Sequence, residues 1–334
     1  MVSKNQIKSA CNKLFKTINL HGFGKKHQGK VRDFYKIKDK RILITTDRIS
    51  AFDRVLGYIP YKGQVLNQLS KFWFDKTADI IPNHIIDIPH PNVAVAKDAK
   101  PYPVEMVVRG YITGVTSTAI WRAYELGERT IYGIKFPEGL RKNQKLPKPI
   151  ITPTSKAEHG AHDERLTHDE ILKRKLVAPK ILEQMEEVSL KLYKRGNEVC
   201  KKRGLILVDT KYEFGEYKGK LILIDEIHTP DSSRFWNAKN YQERFKKGLE
   251  PENYEKEFFR LWYTGQGYRG DGKPPVMSKQ LQIETAQHYI KLYEMITGKK
   301  FKPEKYPIEK SIIKALSVIA SKAKQSRPRL PRPA

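Results

Sequence analysis

Cysteine is scarce in this sequence, which has 334 residues and two cysteines, Cys11 and Cys200. Two cysteines are too few for a disulfide framework, and their spacing matches no zinc site. Long apolar runs are also missing: no stretch approaches the ~18 residues that a membrane-spanning helix needs. The first residues lack the apolar segment of a secretory signal. Together these absences predict a cytoplasmic protein without a membrane-spanning segment.

Acidic residues are few compared with basic ones. Lys and Arg number 64 against 37 Asp and Glu, which gives a formal net charge of +27. Such a charge attracts anions, whether nucleic acid, phosphorylated metabolites or acidic membrane, but does not choose among them. Nucleic-acid binders interleave aromatic residues with cations, whereas the aromatic stretches at 72–74 and 258–263 have the pattern of core packing. We therefore predict no specific nucleic-acid partner, and a surface on which most lysines serve solvation.

A phosphate-binding loop of the GxxxxGK[ST] type is absent as well. The nearest feature is Gly29, which leads into a predicted hairpin with Lys30 and Arg32 two residues apart. Backbone amides and cations in such a turn can approach phosphate groups. A charged edge strand explains the same residues, so this pattern alone does not decide between the two.

Strand-like and helix-like segments follow each other in blocks. An apolar face predicts a helix at 181–203. A second helix is predicted at 279–297, with Gly298 as its C-terminal cap. The clearest strand pair lies at 205–214 and 220–227. Blocks of this kind favour an α+β fold over a doubly wound sheet.

Composition divides the chain into three predicted parts. A Pro-Tyr-Pro sequence at 101–103 predicts a boundary between a β-rich lobe, 1–102, and a larger α+β lobe, 103–316. Segment 317–334 is rich in Lys, Arg and Pro and is predicted to be an unstructured basic tail. Within the second lobe, 137–165 shows little periodicity and is predicted to be a long loop, of the kind that often serves function.

The predicted strand pair contains the densest pattern of charged residues, LVDTKYEFG at 207–215 followed by LIDE at 223–226. Alternate residues of a strand share one face, so Asp209, Lys211 and Glu213 project together. A three-residue turn at 217–219 would place Lys211 opposite Asp225, whereas a turn of even length would put Asp225 on the other face. Carboxylates beside a lysine suit magnesium bound to nucleotide phosphates. A ladder of ion pairs on a solvated face explains the same pattern equally well.

Three other segments are candidates for anion binding. Arg109 follows a predicted strand and precedes a glycine, where it could clamp a carboxylate or phosphate. The predicted loop contains hydroxyls, histidines and acids around Lys156 and Asp163. The turn TPDSSRFW at 229–236 offers two serines and an arginine for a phosphate.

Taken together, these segments resemble the SAICAR synthase family, ATP-dependent ligases of purine synthesis, over about residues 24–297 and in the longer, yeast-like form. The most specific matches are LVDTKYEFG, LIDE, TPDSSRFW, PVEMVVRGYITG at 103–114 and GKVRDFY at 29–35. The resemblance implies that ATP phosphorylates the carboxylate of carboxyaminoimidazole ribotide (CAIR). The amine of L-aspartate then attacks the acyl phosphate, releasing ADP and phosphate. It also implies a cleft between two lobes.

On the nucleotide side, the resemblance implies that Lys30 and Arg32 contact phosphates. Glu213 and Asp225 would hold the magnesium ion that accompanies ATP, and Lys211 would lie beside the transferred phosphoryl group. Polyanions and developing charge require cations of this kind for positioning and stabilisation.

On the substrate side, the resemblance implies that Arg109 and Arg234 bind the ribotide, helped by Ser232 or Ser233. Asp209 would face the substrate and, with Lys211, form the catalytic pair.

Lys156 and Asp163 match the family loop that meets the ribotide and a second magnesium ion. One departure concerns a hydroxyl: many members have Gly-Ser where this chain has Gly114 followed by Val-Thr-Ser-Thr, so either Ser117 or Thr118 supplies it.

Two other functions fit parts of the pattern: a different ATP-dependent carboxylate–amine ligase or a small-molecule kinase, and a basic nucleic-acid-binding protein. The expected assembly is a monomer or small homo-oligomer.

Overall fold

The N-terminal part of the chain forms a five-stranded antiparallel sheet, flanked by a separate strand pair and a long helix. We describe a computed structural model that covers residues 2–156 and 163–325, with side chains up to residue 317. The elements are α1 (Lys4–Ala10), β1 (Lys26–Gln28), β2 (Arg32–Ile37), β3 (Lys40–Thr45), β4 (Arg48–Ala51), β5 (Arg54–Tyr58), α2 (Lys62–Thr77), β6 (Ile85–His90) and β7 (Val93–Lys97). The sheet order is β1-β2-β3-β7-β6, and β4 pairs with β5. This arrangement agrees with the predicted hairpin at the start of the chain.

The rest of the chain forms the central sheet and the helices that cover it. Its elements are β8 (Lys100–Ile112), α3 (Ile120–Glu125), β9 (Thr130–Ile131), β10 (Ile134–Lys135), β11 (Gln144–Ile151), β12 (Thr154–Ser155), α4 (His168–Lys173), α5 (Pro179–Lys201), β13 (Leu205–Tyr217), β14 (Lys220–Ile224), β15 (Ser233–Asn237), α6 (Tyr241–Lys246), α7 (Lys256–Gly265), α8 (Lys279–Thr297) and α9 (Glu309–Gln325). The central sheet has the order β11-β8-β13-β14, with β12 on β8 and β15 on β13.

Helix α5 packs its apolar stripe against the central sheet. Leu182, Met185 and Leu192 are fully buried on that stripe. The hydroxyl of Tyr193 donates to the carbonyl oxygens of residues 207 and 208 in β13, at 2.8 and 3.0 Å. A proline at the first position of the helix needs no hydrogen bond there. The helix therefore fixes β13, the strand with the most candidate site residues.

The apolar face of the N-terminal sheet is covered partly by the far end of the chain. Tyr35 and Ile44 in the sheet share a buried cluster with Phe15, with Ile308 just before α9, and with Ile312 in its first turn. The last helix thus returns to the first sheet.

Most predicted elements are confirmed, and the helix at 279–297 coincides with α8, which ends at Gly298 with φ +70°. The predicted loop at 137–165 was wrong in part, because it contains β11, paired with β8. β11 is an edge strand, and edge strands tolerate the lysines and prolines that obscured its periodicity. The predicted boundary at residue 102 falls inside β8. Helix α9 continues through 317–325, where a tail was predicted; residues 326–334 lie outside the described part.

The turn between β13 and β14 differs from the predicted one by a residue. Tyr217 pairs with Lys220, so the turn consists of Lys218 and Gly219, both with positive φ. Two-residue turns of this kind match the twist of a hairpin. Glu213 consequently pairs with Ile224. The predicted three-residue turn was wrong, and Lys211 does not lie opposite Asp225 as that turn would require.

Within the described residues, every helix is too short or too polar to cross a membrane.

The start of α2 lies unusually close to its neighbours at Gly63. A Cβ atom there would lie 2.3 Å from the carbonyl oxygen of Thr45 and 2.6 Å from Nδ2 of Asn92. We expect Gly63→Ala to destabilise the protein by about 1–3 kcal/mol, because backbone must shift to admit the methyl group. Urea unfolding measures this. Gly265→Ala, with open space around the site, should change stability by less than about 0.5 kcal/mol; equal midpoints for the two variants would contradict the expected clash.

Candidate active site

A cleft of about 960 Å³ lies between the N-terminal strand β2 and the central sheet. Its walls come from β2, β8, β13, the segment after β14, the turn before β15 and the start of α7. It contains nearly all site residues predicted from the sequence: Lys30, Arg32, Arg109, Lys156, Asp163, Asp209, Lys211, Glu213, Asp225, Ser232, Ser233 and Arg234. Residues distant in the sequence therefore share one site.

The centre of the cleft is a lysine between two carboxylates. Antiparallel pairing of β8 with β13 places Glu105 directly opposite Glu213. Like charges in this position destabilise a sheet. Nζ of Lys211 lies 2.6 Å from Oε1 of Glu105 and 3.2 Å from Oε1 of Glu213. Lys211 thus compensates both acids while its ammonium group lines the cleft.

The two carboxylates differ in their affinity for protons. Burial raises the pKa of Glu105, repulsion from Glu213 adds to this effect, and Lys211 opposes it; the result is a pKa of about 7. Burial also acts to raise the pKa of Glu213, but Lys211 and Lys156 outweigh it and lower the pKa to about 2. Lys156 contacts the second oxygen of Glu213. Glu213 is therefore a carboxylate at neutral pH, as binding of a cation requires.

Asp225 reaches the cleft by leaving its strand. β14 ends at Ile224, and Asp225 has φ +65°. This left-handed conformation breaks the alternation that would otherwise turn its side chain to the other face of the sheet. Arg32 contacts Asp225 and donates from Nη2 to Oε2 of Glu226 at 2.6 Å. Arg32 begins β2, so this contact joins the N-terminal sheet to the central sheet across the cleft.

Two arginines meet on one carboxylate at the other end of the cleft. Asp209 is the register partner of Arg109 on β8 and of Arg234 on β15. Its Oδ2 lies 2.6 Å from Nη1 of Arg234 and 3.4 Å from Nη1 of Arg109. Nε of Arg109 donates to the hydroxyl of Thr152 at 2.8 Å. The pairing of three strands therefore sets the position of both guanidinium groups.

The two serines lie in a tight turn attached to β13. The hydroxyl of Ser233 donates to Oγ1 of Thr210 at 2.8 Å, and the backbone N–H of Lys211 donates to the carbonyl oxygen of Ser232 at 3.0 Å. The hydroxyl of Ser232 accepts from the backbone N–H of Thr229 at 3.1 Å.

The remaining predicted residues lie at the edges of the cleft. Lys30 forms an exposed ion pair with Asp53 at 2.8 Å. Asp163 lines the cleft. Among the described residues, Thr116 and Thr118 line it and Ser117 does not; the carbonyl oxygen of Ser117 instead accepts from Arg165 at 2.8 Å.

Residues at the start of α7 were missed by the sequence analysis. Glu255, Lys256 and Arg260 line the cleft. Arg260 lies in the aromatic stretch 258–263, which was predicted to be core packing, whereas Glu255 and Lys256 precede that stretch and no role was predicted for them. The side chain of Glu255 caps α7 by accepting from the backbone N–H of Glu257, but glutamate is not a preferred N-cap residue, so no local sequence signal marks this helix start.

The donor set fits a magnesium ion that arrives with a nucleotide. Among residues 2–156 and 163–325, no group of three or more His, Cys, Asp or Glu is arranged to hold a metal ion. Magnesium needs only one or two carboxylates when phosphates and waters complete its shell. Glu213 and Asp225 line the same cleft and meet that requirement.

Fold and site together define an α+β enzyme whose cleft is lined by basic and acidic side chains in equal number. The family model described as SAICAR synthetase matches residues 25–275. A Legionella pneumophila (strain Paris) protein named phosphoribosylaminoimidazole-succinocarboxamide synthase is 52% identical over 282 residues, covering 84% of this chain and 89% of the relative. The chain belongs to the SAICAR synthetase family, and it is a ligase of purine biosynthesis.

Solved structures agree with this assignment. A SAICAR synthase from Saccharomyces cerevisiae, complexed with SAICAR, is 33% identical, with a TM-score of 0.73, and the match covers 86% of this chain and all (100%) of that one. A SAICAR synthetase in complex with ADP is 26% identical, with a TM-score of 0.64, over 84% of this chain and 100% of that one. The predicted α+β, SAICAR synthase-like fold is confirmed.

Glu255 should make the stability of the protein depend on pH. Burial, with repulsion from Glu257, raises its pKa from 4.5 to about 8. The folded state therefore binds a proton more tightly than the unfolded chain, and stability falls as the pH rises between these values. We expect Glu255→Gln to make this fall in melting temperature shallower between pH 5 and about 8, because the amide resembles the protonated acid. The exposed Glu243→Gln is the control. Parallel curves for wild type and Glu255→Gln would contradict the expectation.

Proposed function

We propose that this chain uses ATP to join L-aspartate to the carboxylate of CAIR, giving SAICAR, ADP and phosphate. The observation that supports this most directly is Lys211, held between Glu105 and Glu213 in a cleft that also contains the arginine pair on Asp209. One end of the cleft suits phosphoryl transfer, and the other suits an anionic acceptor. The family assignment selects this reaction among those that such a cleft could perform.

The nucleotide end is formed by Lys30, Arg32, Glu213 and Asp225. Lys30 and Arg32 come from the N-terminal part of the cleft and would contact the phosphates of ATP. Arg32 already contacts the two adjacent acids at 225 and 226, so phosphate binding would exchange one anionic partner for another. Glu213 and Asp225 would hold magnesium, which supplies positive charge to neutralise the phosphates.

Lys211 is assigned to the transferred phosphoryl group. An oxygen of the CAIR carboxylate attacks the γ-phosphorus, and the bond to the leaving ADP oxygen breaks. Negative charge spreads over the equatorial oxygens during this transfer, and a fixed ammonium group stabilises it. Because two carboxylates already hold Lys211, little reorganisation is needed at the moment of transfer.

The substrate end is assigned to Arg109, Arg234, Ser232 and Ser233, which would bind the ribotide. Asp209 orients both arginines by accepting from each. The amine of L-aspartate attacks the acyl carbon, the bond from this carbon to the phosphate oxygen breaks, and the amine loses its proton. No protein nucleophile is needed.

Lys156 and Asp163 would complete the cleft beside the ribotide and a second magnesium ion. Lys156 contacts Glu213, so it joins the two ends of the site. Many family members have a serine directly after the glycine that corresponds to Gly114, and this chain does not. We propose that Thr118, rather than Ser117, supplies the equivalent hydroxyl, because Thr118 lines the cleft. A cytoplasmic location, a monomer or small homo-oligomer, and the division into lobes at residue 102 stay predictions.

The reaction is tested by omitting each substrate in turn. We expect ADP release to require both L-aspartate and CAIR, since no acyl phosphate forms without CAIR and none is consumed without the amine. A coupled ADP assay with purified protein and magnesium measures this. Phosphate transfer that continues without aspartate would instead support a kinase.

The metal assignment is tested by Glu213→Gln. The amide keeps the shape of the side chain but removes the charge, and we expect kcat to fall by at least about 100-fold. Glu216→Gln lies on the same strand, with an exposed side chain, and should retain normal turnover. Melting temperatures show whether both variants fold. Near-normal turnover of folded Glu213→Gln would rule out its metal role.

A further inference from the structure

A buried carboxylate lies directly behind the substrate turn. The side chain of Asp231 is 4% exposed, and its Oδ2 lies 2.8 Å from Nζ of Lys62, which is fully buried. Its Oδ1 accepts from the hydroxyl of Tyr289 at 2.6 Å. Nζ of Lys256 is further away, at 3.8 Å. Helices α2, α7 and α8 thus converge on one carboxylate.

Asp231 is ionised in this environment. Burial acts to raise its pKa, but Lys256 and Lys62 outweigh burial and hold the pKa well below its usual range. A negative charge is therefore present one residue before Ser232 and three before Arg234, in the turn assigned to an anionic substrate. Without compensation, this charge would repel that substrate.

Lys62 supplies the close compensation without reaching the cleft. Its side chain is buried, and among the residues that the structure describes as lining the cleft, Asp231 and Lys256 are present but Lys62 is absent. The direct contact between Lys62 and the lining of the cleft is therefore its ion pair with Asp231. Lys62 is the first residue of α2, and the next residue, Gly63, packs closely against the backbone of Thr45. This close packing fixes the position of the backbone from which the Lys62 side chain extends.

Stability alone is a poor reason for this ion pair. Removing two charges from water costs several kcal/mol, and replacing a buried pair by apolar residues is often neutral or stabilising. An ion pair also fixes geometry, because it holds two charged groups at a set distance. Here it fixes Asp231 in a turn whose next residues, Ser232 and Ser233, are hydrogen-bonded to β13.

We propose that Lys62 is a positioning residue for the ribotide: through Asp231 it orients the turn at 229–234 and neutralises the negative charge behind it. Tyr289 assists by holding the other oxygen of Asp231. This inference rests on the proposed function, since it takes the ribotide as the anion that the turn binds.

The test is Lys62→Met, which keeps the length of the side chain and removes its charge. We expect the KM for CAIR to rise by about tenfold or more, because Asp231 loses its closest cation and keeps only Lys256, at 3.8 Å. The value of kcat and the KM for ATP should change less than about threefold. Lys71→Met is the matched control, since Lys71 lies on the same helix in an exposed pair with Asp75.

A second substitution separates charge from packing. Adding Asp231→Asn to Lys62→Met removes the carboxylate charge that Lys62 no longer balances, so the KM for CAIR should recover by at least about threefold. Loss of packing alone would give no recovery. The proposal would be overturned if the KM for CAIR of the double variant were as high as that of Lys62→Met. It would also be overturned if the KM for CAIR of Lys62→Met were the same as that of Lys71→Met.

Tyr289→Phe covers the case in which Lys62→Met does not fold. It removes one hydroxyl and should raise the KM for CAIR by about two- to fivefold, as expected for loss of one hydrogen bond; an unchanged KM would then overturn the proposal. If wild-type protein releases no ADP with all substrates present, the proposed function fails together with this inference. An active wild type with no effect at Lys62 refutes the positioning role alone.

Discussion

The opposition of Glu105 and Glu213 across β8 and β13 is the constraint on which the site depends. Strand pairing places the two acids directly opposite each other, where their charges repel, and Lys211 lies between them and contacts both. Both carboxylates contact this lysine before any substrate arrives. The backbone ladder therefore performs part of the work of preorganisation that catalysis requires.

The net charge of +27 gives a misleading picture of the cleft, which is not a uniformly positive surface. Arg32, Lys211 and Arg234 each contact at least one carboxylate. Substrates therefore enter a site in which cations already have partners, and binding redistributes those contacts. Such a site selects among anions by geometry, since an anion that displaces a carboxylate must match its position as well as its charge.

Sequence patterns predicted the central strands well, because alternation and charge coincide in β13. They failed at the turn that follows, where Lys218 adopts a left-handed conformation that favours glycine or asparagine. The prediction that Asp225 lies in the cleft does not depend on the turn, since the positive φ at Asp225 directs its side chain into the cleft. Lys62 could not be found in this way: an isolated lysine at the start of a helix has no local signature, and its role depends on three helices meeting.

The return of α9 to the N-terminal sheet has a consequence for how the protein folds. Phe15 and Ile312 share a buried cluster although they come from opposite ends of the sequence. Contacts of such long range are slow to form because a large loop must close first. The N-terminal sheet can form its hydrogen bonds early, but its apolar face stays uncovered until the last helix docks. A nascent chain interrupted before α9 would therefore expose the apolar face of the N-terminal sheet, so docking of this helix is the step that protects the protein from aggregation.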